Sequence, residues 1–166
     1  MRRRDIQAPP RSTDAKEAAM GVRRAVESDL EAIHPLLEQR TGAGLNRRRM
    51  MWREALGHPG YAAWIAEVDG RPVGFIDLFV FPDVSPGRKI GLINNLIVDA
   101  RVRGRGLGRG LLREAIARCR KERAIELHVW TAQDNTPAIA LYKRLGFVDR
   151  ALLLELQVQS RRIVRR

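Results

Sequence analysis

Residues 100–112 read ARVRGRGLGRGLL and hold four glycines and four arginines in thirteen positions. The apolar segment GLINNLIVDA, residues 91–100, leads into this stretch and is typical of a strand. Apolar residues at helical spacing follow it, from Leu107 to Cys119. A strand that enters a helix through a glycine-rich turn directs unpaired backbone N–H groups and the positive end of the helix dipole at one point. We therefore predict an anion site at this turn, with a diphosphate as the natural ligand.

The spacing of the glycines excludes two common diphosphate sites. A dinucleotide fingerprint needs G-x-G-x-x-G, but the sixth position is Arg109 counted from Gly104 and Leu111 counted from Gly106. A P-loop needs Gly-Lys followed by Ser or Thr, whereas Gly108 is followed by Arg109. Arginine- and glycine-rich segments that bind nucleic acid share this composition, but they are usually disordered and do not lead into a regular apolar helix face.

The composition indicates one globular domain with an excess of positive charge. The chain has 166 residues, 45% of them hydrophobic, and a net charge of +12. This length is enough to bury a core, and the charge favours anionic partners such as phosphates, nucleic acid or membrane surfaces. Cys119 is the single cysteine, so no internal disulfide or cysteine metal cage is predicted. We expect a cytoplasmic protein without a membrane span.

The two ends of the chain differ from its middle. Residues 1–19 contain basic and acidic residues but no apolar segment of the kind a signal peptide needs, and we predict a flexible basic N-terminal extension there. Residues 160–166 are predicted to be a basic C-terminal tail. The folded domain is therefore predicted to span residues 20–159.

Local patterns within this domain predict two helices and a hairpin after a first short strand. Ser28 and Glu31 have the spacing of a capping box, which predicts a helix from this point to about residue 39. The segment LNRRRMMWREAL, residues 45–56, predicts a second helix. Asp69-Gly70 between two apolar segments predicts a tight hairpin.

The second half of the chain predicts strands that alternate with helices. The segments AIELHVW, residues 124–130, and ALLLELQV, residues 151–158, are typical of strands, and a helix is predicted between them, over residues 135–145. The predicted order is strand, two helices, three strands, helix, strand, helix, strand. This order favours a mixed sheet with helices on its faces.

Two motifs resemble the GCN5-related N-acetyltransferase (GNAT) superfamily. RGRGLG, residues 103–108, has the R-x-x-G-x-G pattern of that superfamily's acyl-CoA-binding signature, and NTPAIALYKRLGF, residues 135–147, is similar to its later N-x-x-A-x-x-L-Y-x-x-x-G-F stretch. Two motifs in this order are far more specific than either alone. The resemblance implies a single-domain α/β fold with a mixed, mostly antiparallel sheet, helices on both faces, and a splay between the strands near 91–98 and 125–131.

The resemblance also implies that the cofactor is acetyl-CoA. Val98, at the end of the strand before the turn, is expected to offer backbone hydrogen bonds to the pantetheine arm, and Asn135 a side-chain hydrogen bond to the same arm. Asn135 is also placed to cap the helix that follows it. The residues expected around the diphosphate are Arg103, Gly104, Arg105, Gly106, Leu107, Gly108 and Arg109.

Direct transfer of an acetyl group to an amine requires two proton transfers. By resemblance, Tyr142 is expected to act as the general acid that protonates the departing thiolate. Many members of the superfamily use a Glu near position 94 as the base, but this chain has Asn94 and Asn95, and an amide cannot act as a base. His128 is the nearest alternative by residue type, since imidazole titrates near neutral pH. Water relayed by an asparagine, or no catalysis at all, are the other interpretations.

The function that the resemblance implies is transfer of acetyl from acetyl-CoA directly to a primary amine of a small molecule or a peptide. A catalytically silent CoA-binding sensor is the alternative, and a small nucleic-acid-binding protein is a second, less favoured one. No covalent enzyme intermediate is needed, and Cys119 on an apolar helix face is expected to be inert core. A homodimer is possible if the last predicted strand pairs between two chains.

The sequence leaves the acceptor open. The superfamily builds its amine pocket from segments that correspond here to residues 34–58 and 149–155. These segments contain both signs of charge, and an acidic site favours a polyamine whereas a basic site favours an acceptor with a carboxylate. The charged residues concerned are Arg47, Arg48, Arg49, Glu38, Asp149 and Glu155.

Overall fold

The computed structural model describes residues 19–151, 153–156 and 158. Its five strands are β1 Met20–Arg24, β2 Tyr61–Val68, β3 Arg71–Asp83, β4 Arg88–Val98 and β5 Ala124–Val129. Its four α-helices are α1 Leu30–Glu38, α2 Leu45–Gly57, α3 Leu107–Lys121 and α4 Thr136–Arg144. Short 3-10 helices cover Glu27–Asp29 and Ala100–Val102.

The strands form one mixed sheet in the order β1-β2-β3-β4-β5. The first four strands are antiparallel neighbours, and β4 and β5 are parallel. The β2–β3 connection is the predicted hairpin, with Asp69 at φ +50° and Gly70 at φ +73°. Two positive φ angles in a two-residue loop match the right-handed twist of the strands, which is why the Asp-Gly pair is so informative.

Helices cover both faces of this sheet, as predicted. On one face, α3 contributes Leu111, Leu112 and Ala115, all completely buried, to a core shared with β2, β3 and β4. On the other face, α1 and α2 pack Ile33 and Trp52 against the sheet. Burial of a large aliphatic or aromatic side chain contributes about 1.5–3 kcal/mol, so the two cores hold the helices firmly on the sheet.

The predicted splay lies between β4 and β5. Their pairing runs from Lys89 opposite Ala124 to Ile93 opposite Val129. Strand β4 continues to Val98, so its last five residues are not paired with β5. The sheet is therefore open on one side of β4, directly before the glycine-rich turn.

Two local predictions were wrong. The segment predicted as a last strand forms no strand at residues 151, 153–156 or 158, and Leu154 and Leu156 are more than four-fifths exposed. An apolar run indicates a strand only where a sheet edge pairs with its backbone, and the sheet described here has five strands instead of six. The first helix is held by Asp29 and not by Ser28: the Asp29 carboxylate accepts from the Val26 N–H at 2.8 Å and is paired with Arg23 at 2.7 Å.

Some predictions concern segments outside the described residues. The extension predicted for residues 1–19 lies there except for its last residue, and so does the tail predicted for residues 160–166. Within the part of the chain that is described, no helix combines the length and the apolar character needed to cross a bilayer.

Candidate active site

The glycine-rich turn places the start of α3 beside the end of β4. Gly104 and Gly106 have φ angles of +80° and +86°, in the left-handed region that residues with a side chain rarely adopt. Gly106 directly precedes α3, and within the described residues no side chain caps the first turn of this helix. The first N–H groups of α3 therefore face outward together with the positive end of its dipole.

Gly108 is required for packing in addition to any role in binding. A Cβ atom at this position would lie 3.2 Å from Leu141 Cδ2 and 3.8 Å from Val98 Cγ2. The missing side chain therefore lets the first turn of α3 lie against α4 and β4. This contact fixes where the unpaired N–H groups point.

The arginines of the turn have different surroundings. Arg101 Nη2 lies 2.6 Å from Asp99 Oδ2, and hydrogen bonds from Arg101 lower the pKa of Asp99 to about 2. Arg105 and Arg109 are exposed and take part in none of the ion pairs between described residues. Their charge is therefore not neutralised locally within the described chain and adds to the field of the helix N-terminus.

The backbone of Val98 faces the opening in the sheet. The N–H of the next residue, Asp99, donates to the Val73 carbonyl at 2.8 Å. Successive residues of a strand direct their backbone groups to opposite sides. The N–H and C=O groups of Val98 therefore point away from β3, toward the side of β4 on which β5 no longer pairs. Arg103 Nε donates to the Val98 carbonyl there at 3.1 Å. The predicted pantetheine contact is therefore at an edge able to accept an extended chain.

A cavity of about 490 Å³ lies between the sheet and helices α1 and α2. Its wall is mostly apolar, and the larger side chains in it are Leu30, Leu37, Met51, Trp52, Phe75 and Phe79. The charged side chains that line it are Arg40, Arg47, Arg48 and Asp77. The other residues of the wall with polar side-chain groups are Thr41, Tyr61, Asn94 and Asn95.

Asp77 is the buried polar centre of this cavity, with 7% of the residue exposed. Its Oδ2 accepts from the Tyr61 hydroxyl at 2.9 Å. Its Oδ1 accepts from the Asn95 backbone N–H at 2.8 Å and from Asn95 Nδ2 at 3.0 Å. Burial raises the pKa of the Asp77 carboxyl above its ordinary value, although these three hydrogen bonds act in the opposite direction.

A β-bulge brings the cavity to the opening in the sheet. Asp77 pairs with Asn95 and Leu78 with Ile93, so Asn94 is an extra residue on β4. Ile93 is also the last residue of β4 that pairs with β5. Asn94 and Asn95 therefore lie both in the cavity wall and on the part of β4 that is not paired with β5.

Tyr142 lies on α4 in the core beside α3, with 7% of the residue exposed. Its ring packs against Phe147 with the centroids 5.6 Å apart. Burial raises the pKa of the Tyr142 hydroxyl, and the positive charge of Arg40 lowers it by a smaller amount. The hydroxyl is therefore protonated at neutral pH, as a proton donor must be, and Tyr142 does not itself line the cavity.

None of the predicted catalytic and cofactor-binding residues lines this cavity, and two of them have other partners. Asn135 precedes α4, as predicted, but its side chain does not cap the helix; its Nδ2 donates to Thr131 Oγ1 at 3.1 Å. The His128 side chain is 48% exposed, and its Nε2 lies 2.8 Å from Glu126 Oε2. His128 does not line the cavity, so its role as a base stays a prediction that the geometry does not favour.

Asp77 is the residue that the sequence analysis missed. It lies within GFIDLFVF, residues 74–81, a hairpin strand whose other side chains are apolar. One charged residue in an apolar strand is an informative signal, because a buried carboxylate is costly unless partners hold it. That signal was present in the sequence, but its partners Tyr61 and Asn95 are far away along the chain.

Comparison with known proteins agrees with this geometry. The profile of the Acetyltransferase (GNAT) family matches residues 24–147. The chain belongs to the GNAT family. The prediction from the two motifs is thereby confirmed at the level of the family.

Relatives of this GNAT domain include several named acetyltransferases. It is 38% identical to the L-amino acid N-acetyltransferase AaaT of Escherichia coli over 102 residues, which are 58% of this chain and 60% of that protein. It is 30% identical to a mycothiol acetyltransferase of Cellulomonas flavigena over 135 residues, which are 78% of this chain and 37% of that protein. The chain thus spans between about a third and three fifths of the length of these curated relatives.

Solved structures show the same fold. The aminoglycoside N-acetyltransferase AAC(6')-Iy in complex with CoA superimposes with a TM-score of 0.77, at 21% identity, over 88% of this chain and 99% of that one. An acetyltransferase of Trypanosoma brucei gives a TM-score of 0.70 at 26% identity, over 84% of this chain and all of that one. The single α/β fold with its five-stranded mixed sheet is therefore that of the GNAT family.

We expect Cys119 of the GNAT domain to be inert. The residue is 5% exposed, and burial raises the pKa of its thiol to about 11. A buried thiol that stays protonated is a poor nucleophile. Iodoacetamide at pH 8 should leave the native protein unmodified by mass spectrometry for as long as it takes to alkylate the urea-unfolded protein completely. Rapid modification of the native protein would contradict this and reopen the question of a covalent intermediate.

Proposed function

We propose that this GNAT domain transfers the acetyl group of acetyl-CoA directly to a primary amine of a small molecule or a peptide. The observation that carries the proposal is the position of Asn94 and Asn95. They line the cavity, and they lie on the stretch of β4 that has separated from β5. An amine in the cavity and a thioester in the opening would therefore meet across this part of β4.

The residues around the turn fit acetyl-CoA. The uncapped N–H groups at Leu107, Gly108 and Arg109 suit a diphosphate, and the edge of Val98 suits the extended pantetheine arm. Arg105 and Arg109 add positive charge beside the diphosphate, and Asn135 is proposed to contact the arm. Acetyl-CoA, when bound, supplies the acetyl thioester.

Two side chains are proposed to move the protons. The amine must lose a proton in order to attack, and Asp77 is proposed to accept it, because it is the carboxylate of the cavity wall and burial raises its proton affinity. As the new N–C bond forms and the C–S bond breaks, the Tyr142 hydroxyl donates its proton to the departing sulfur. We prefer Asp77 to His128 as the base, because Asp77 lines the cavity.

The Tyr142→Phe variant tests the proposal. Release of free thiol from acetyl-CoA is measured with a panel of primary amines, and we expect kcat to fall about 10-fold to 100-fold. The effect is at the low end for an acid catalyst, since a thiolate is a good leaving group. Acetyl-CoA affinity by calorimetry should change little, because the ring and its packing against Phe147 remain.

Three outcomes separate the alternatives. Full activity of Tyr142→Phe across the pH range would show that Tyr142 is not the acid. Wild-type protein that binds acetyl-CoA but acetylates no amine would favour the CoA-binding sensor. The nucleic-acid-binding alternative would be favoured if the wild-type protein does not bind acetyl-CoA but binds a short DNA duplex, with an affinity that falls steeply as the salt concentration rises.

A further inference from the structure

The cavity between the sheet and helices α1 and α2, which is proposed to hold the amine and is called the acceptor cavity below, carries opposite charge at its two ends. Asp77 lies at the sheet end and is buried. Arg40 and Arg47 line the same cavity from the segment that follows α1 and from α2, and both are exposed. The wall between the two ends is mainly aliphatic and aromatic. Of the charged residues that the sequence analysis considered for the amine pocket, only Arg47 and Arg48 line the cavity. Arg40 is the other arginine of the wall, and the carboxylate of the wall, Asp77, comes from β3.

The third arginine, Arg48, holds the loop that carries Arg40. Arg48 Nε donates to the Ala43 carbonyl at 2.7 Å, and its Nη2 donates to the Thr41 carbonyl. The chain between α1 and α2 is thereby fixed next to Arg40. The hydrogen-bond donors of Arg48 are thus used within the protein. The guanidinium groups of Arg40 and Arg47 are the ones that are open to a bound anion.

Two of the three acidic residues on α1 and α2 lie beside other partners, and the third, Glu54, forms no ion pair with a described residue and does not line the cavity. Glu31 lies 2.7 Å from Arg49, and Glu38 lies 3.4 Å from His34. Arg40 and Arg47 form no ion pair with any residue that the structure describes. Two exposed guanidinium groups without a local counter-charge suit an anionic ligand, since guanidinium binds carboxylate or phosphate with two parallel hydrogen bonds.

We propose, on the basis of the proposed function, that the acceptor is an amine that also carries an acidic group. Its amine faces Asp77, its apolar part lies against the aromatic wall, and its carboxylate or phosphate binds Arg40 and Arg47. A polyamine is disfavoured because its second ammonium group would lie beside the arginines. The charges of the cavity therefore select for an acceptor with both signs of charge.

Four amines that share a six-carbon chain test this assignment. They are 6-aminohexanoate, 6-aminohexyl phosphate, hexylamine and hexane-1,6-diamine, so the group at the far end is a carboxylate, a phosphate, a methyl or an ammonium. L-Norleucine and pentylamine form a second pair, in which the carboxylate lies next to the amine. We expect kcat/KM to be about 10-fold or more higher for an acidic acceptor than for its neutral partner, and lowest for the diamine.

Arginine variants show whether these side chains cause the preference. In the double variant Arg40→Gln with Arg47→Gln, the ratio of kcat/KM between acidic and neutral acceptors should fall to about 1. The ratio is the readout because Arg40 also acts on Tyr142, and an effect on that residue slows every acceptor alike. Arg53→Gln is the matched control: Arg53 is on the same helix as Arg47, is exposed and does not line the cavity. The control should keep the wild-type ratio.

The outcomes distinguish this assignment from the proposed function. No acetylation of any amine would overturn both. Acetylation in which hexylamine or the diamine matches the acidic amines would overturn the acceptor assignment and leave the acetyltransferase proposal standing. A preference for acidic amines that persists in the double variant would overturn the assignment to Arg40 and Arg47.

Discussion

Gly106→Val is expected to weaken acetyl-CoA binding about 100-fold or more while the protein still folds. Gly106 has a φ of +86°, and a β-branched residue at such an angle is strained by about 1–3 kcal/mol. The chain relieves this strain by moving the start of α3, which displaces the unpaired N–H groups proposed to bind the diphosphate. A Cβ atom at this position would have no neighbour within 4 Å, so steric overlap within the protein is not the cause. Calorimetric titration with acetyl-CoA, with ATP and NAD as controls, measures the effect.

Gly87→Val is the matched control for this experiment. Gly87 lies in the β3–β4 loop, has a φ of +63° and also has open space around the position of a Cβ atom. The substitution therefore introduces similar backbone strain away from the turn. It should lower the free energy of unfolding by a similar amount without changing acetyl-CoA affinity. Wild-type affinity in Gly106→Val would show that the turn is not the diphosphate site, and a comparable loss in Gly87→Val would assign the effect to general destabilisation.

Asp77→Asn is expected to reduce acetyl transfer by about 100-fold to 10,000-fold, the range for loss of a general base. The amide keeps the shape of the side chain but cannot accept a proton from the amine. Acetyl-CoA affinity should stay unchanged, because Asp77 lines the acceptor cavity and not the turn. Steady-state kinetics with a saturating acetyl-CoA concentration and a series of amine concentrations measures the change.

The pH dependence separates a proton acceptor from a structural carboxylate. Burial raises the pKa of Asp77, so the acidic limb of kcat/KM should begin above the ordinary carboxyl range. Below that pKa the carboxyl is protonated and cannot accept the proton of the ammonium group, so the wild-type rate falls about 10-fold per pH unit, whereas between that pKa and the pKa of the amine the rate is level. Asp77→Asn has no carboxylate to accept this proton, so its rate should rise about 10-fold per pH unit up to the pKa of the amine, without the level region. An unchanged limb in the variant would contradict the assignment.

Tyr61→Phe provides the control for the hydrogen-bond network. This variant removes one hydrogen bond to Asp77 and keeps the carboxylate, so it should retain most of the activity that Asp77→Asn loses. Equal losses of activity in Tyr61→Phe and Asp77→Asn would indicate that the hydrogen bonds of Asp77 only maintain the shape of the β-bulge.

The stability of Asp77→Asn should follow from the same pKa shift. The pKa of Asp77 is raised in the folded protein. Its contribution to stability is therefore complete below the unfolded pKa, about 3.9, and is lost as the pH rises through the folded value. Asp77→Asn keeps the shape of the side chain without an ionisable group, so above the folded pKa it should unfold at a temperature close to that of the wild type. A large loss of thermal stability would point to a structural role.

The sequence by itself determined the turn, the elements around it and the family. Residues 100–112 are a local signal, because the conformation of Gly104 and Gly106 and the start of α3 depend on neighbours in the chain. The Asp69-Gly70 hairpin and the helix at residues 45–57 are local in the same sense. The resemblance of residues 135–147 to the later GNAT motif indicated Tyr142 as the candidate acid, because that motif lies within one continuous segment.

Only the tertiary structure determined which residues line the acceptor cavity and which strands form the edge of the sheet. Asp77 became a candidate base when strand pairing brought it to Asn95 and hairpin pairing brought it near Tyr61. Residues 151–158 have a strand-like sequence, but whether they join a sheet depends on an edge formed by residues far away in the chain. Arg40, Arg47 and Arg48 line one cavity because α1, α2 and their connecting loop pack on one face of the sheet. Local sequence fixes dihedral angles and faces, whereas the burial of a charge and the opening between β4 and β5 depend on contacts between distant segments.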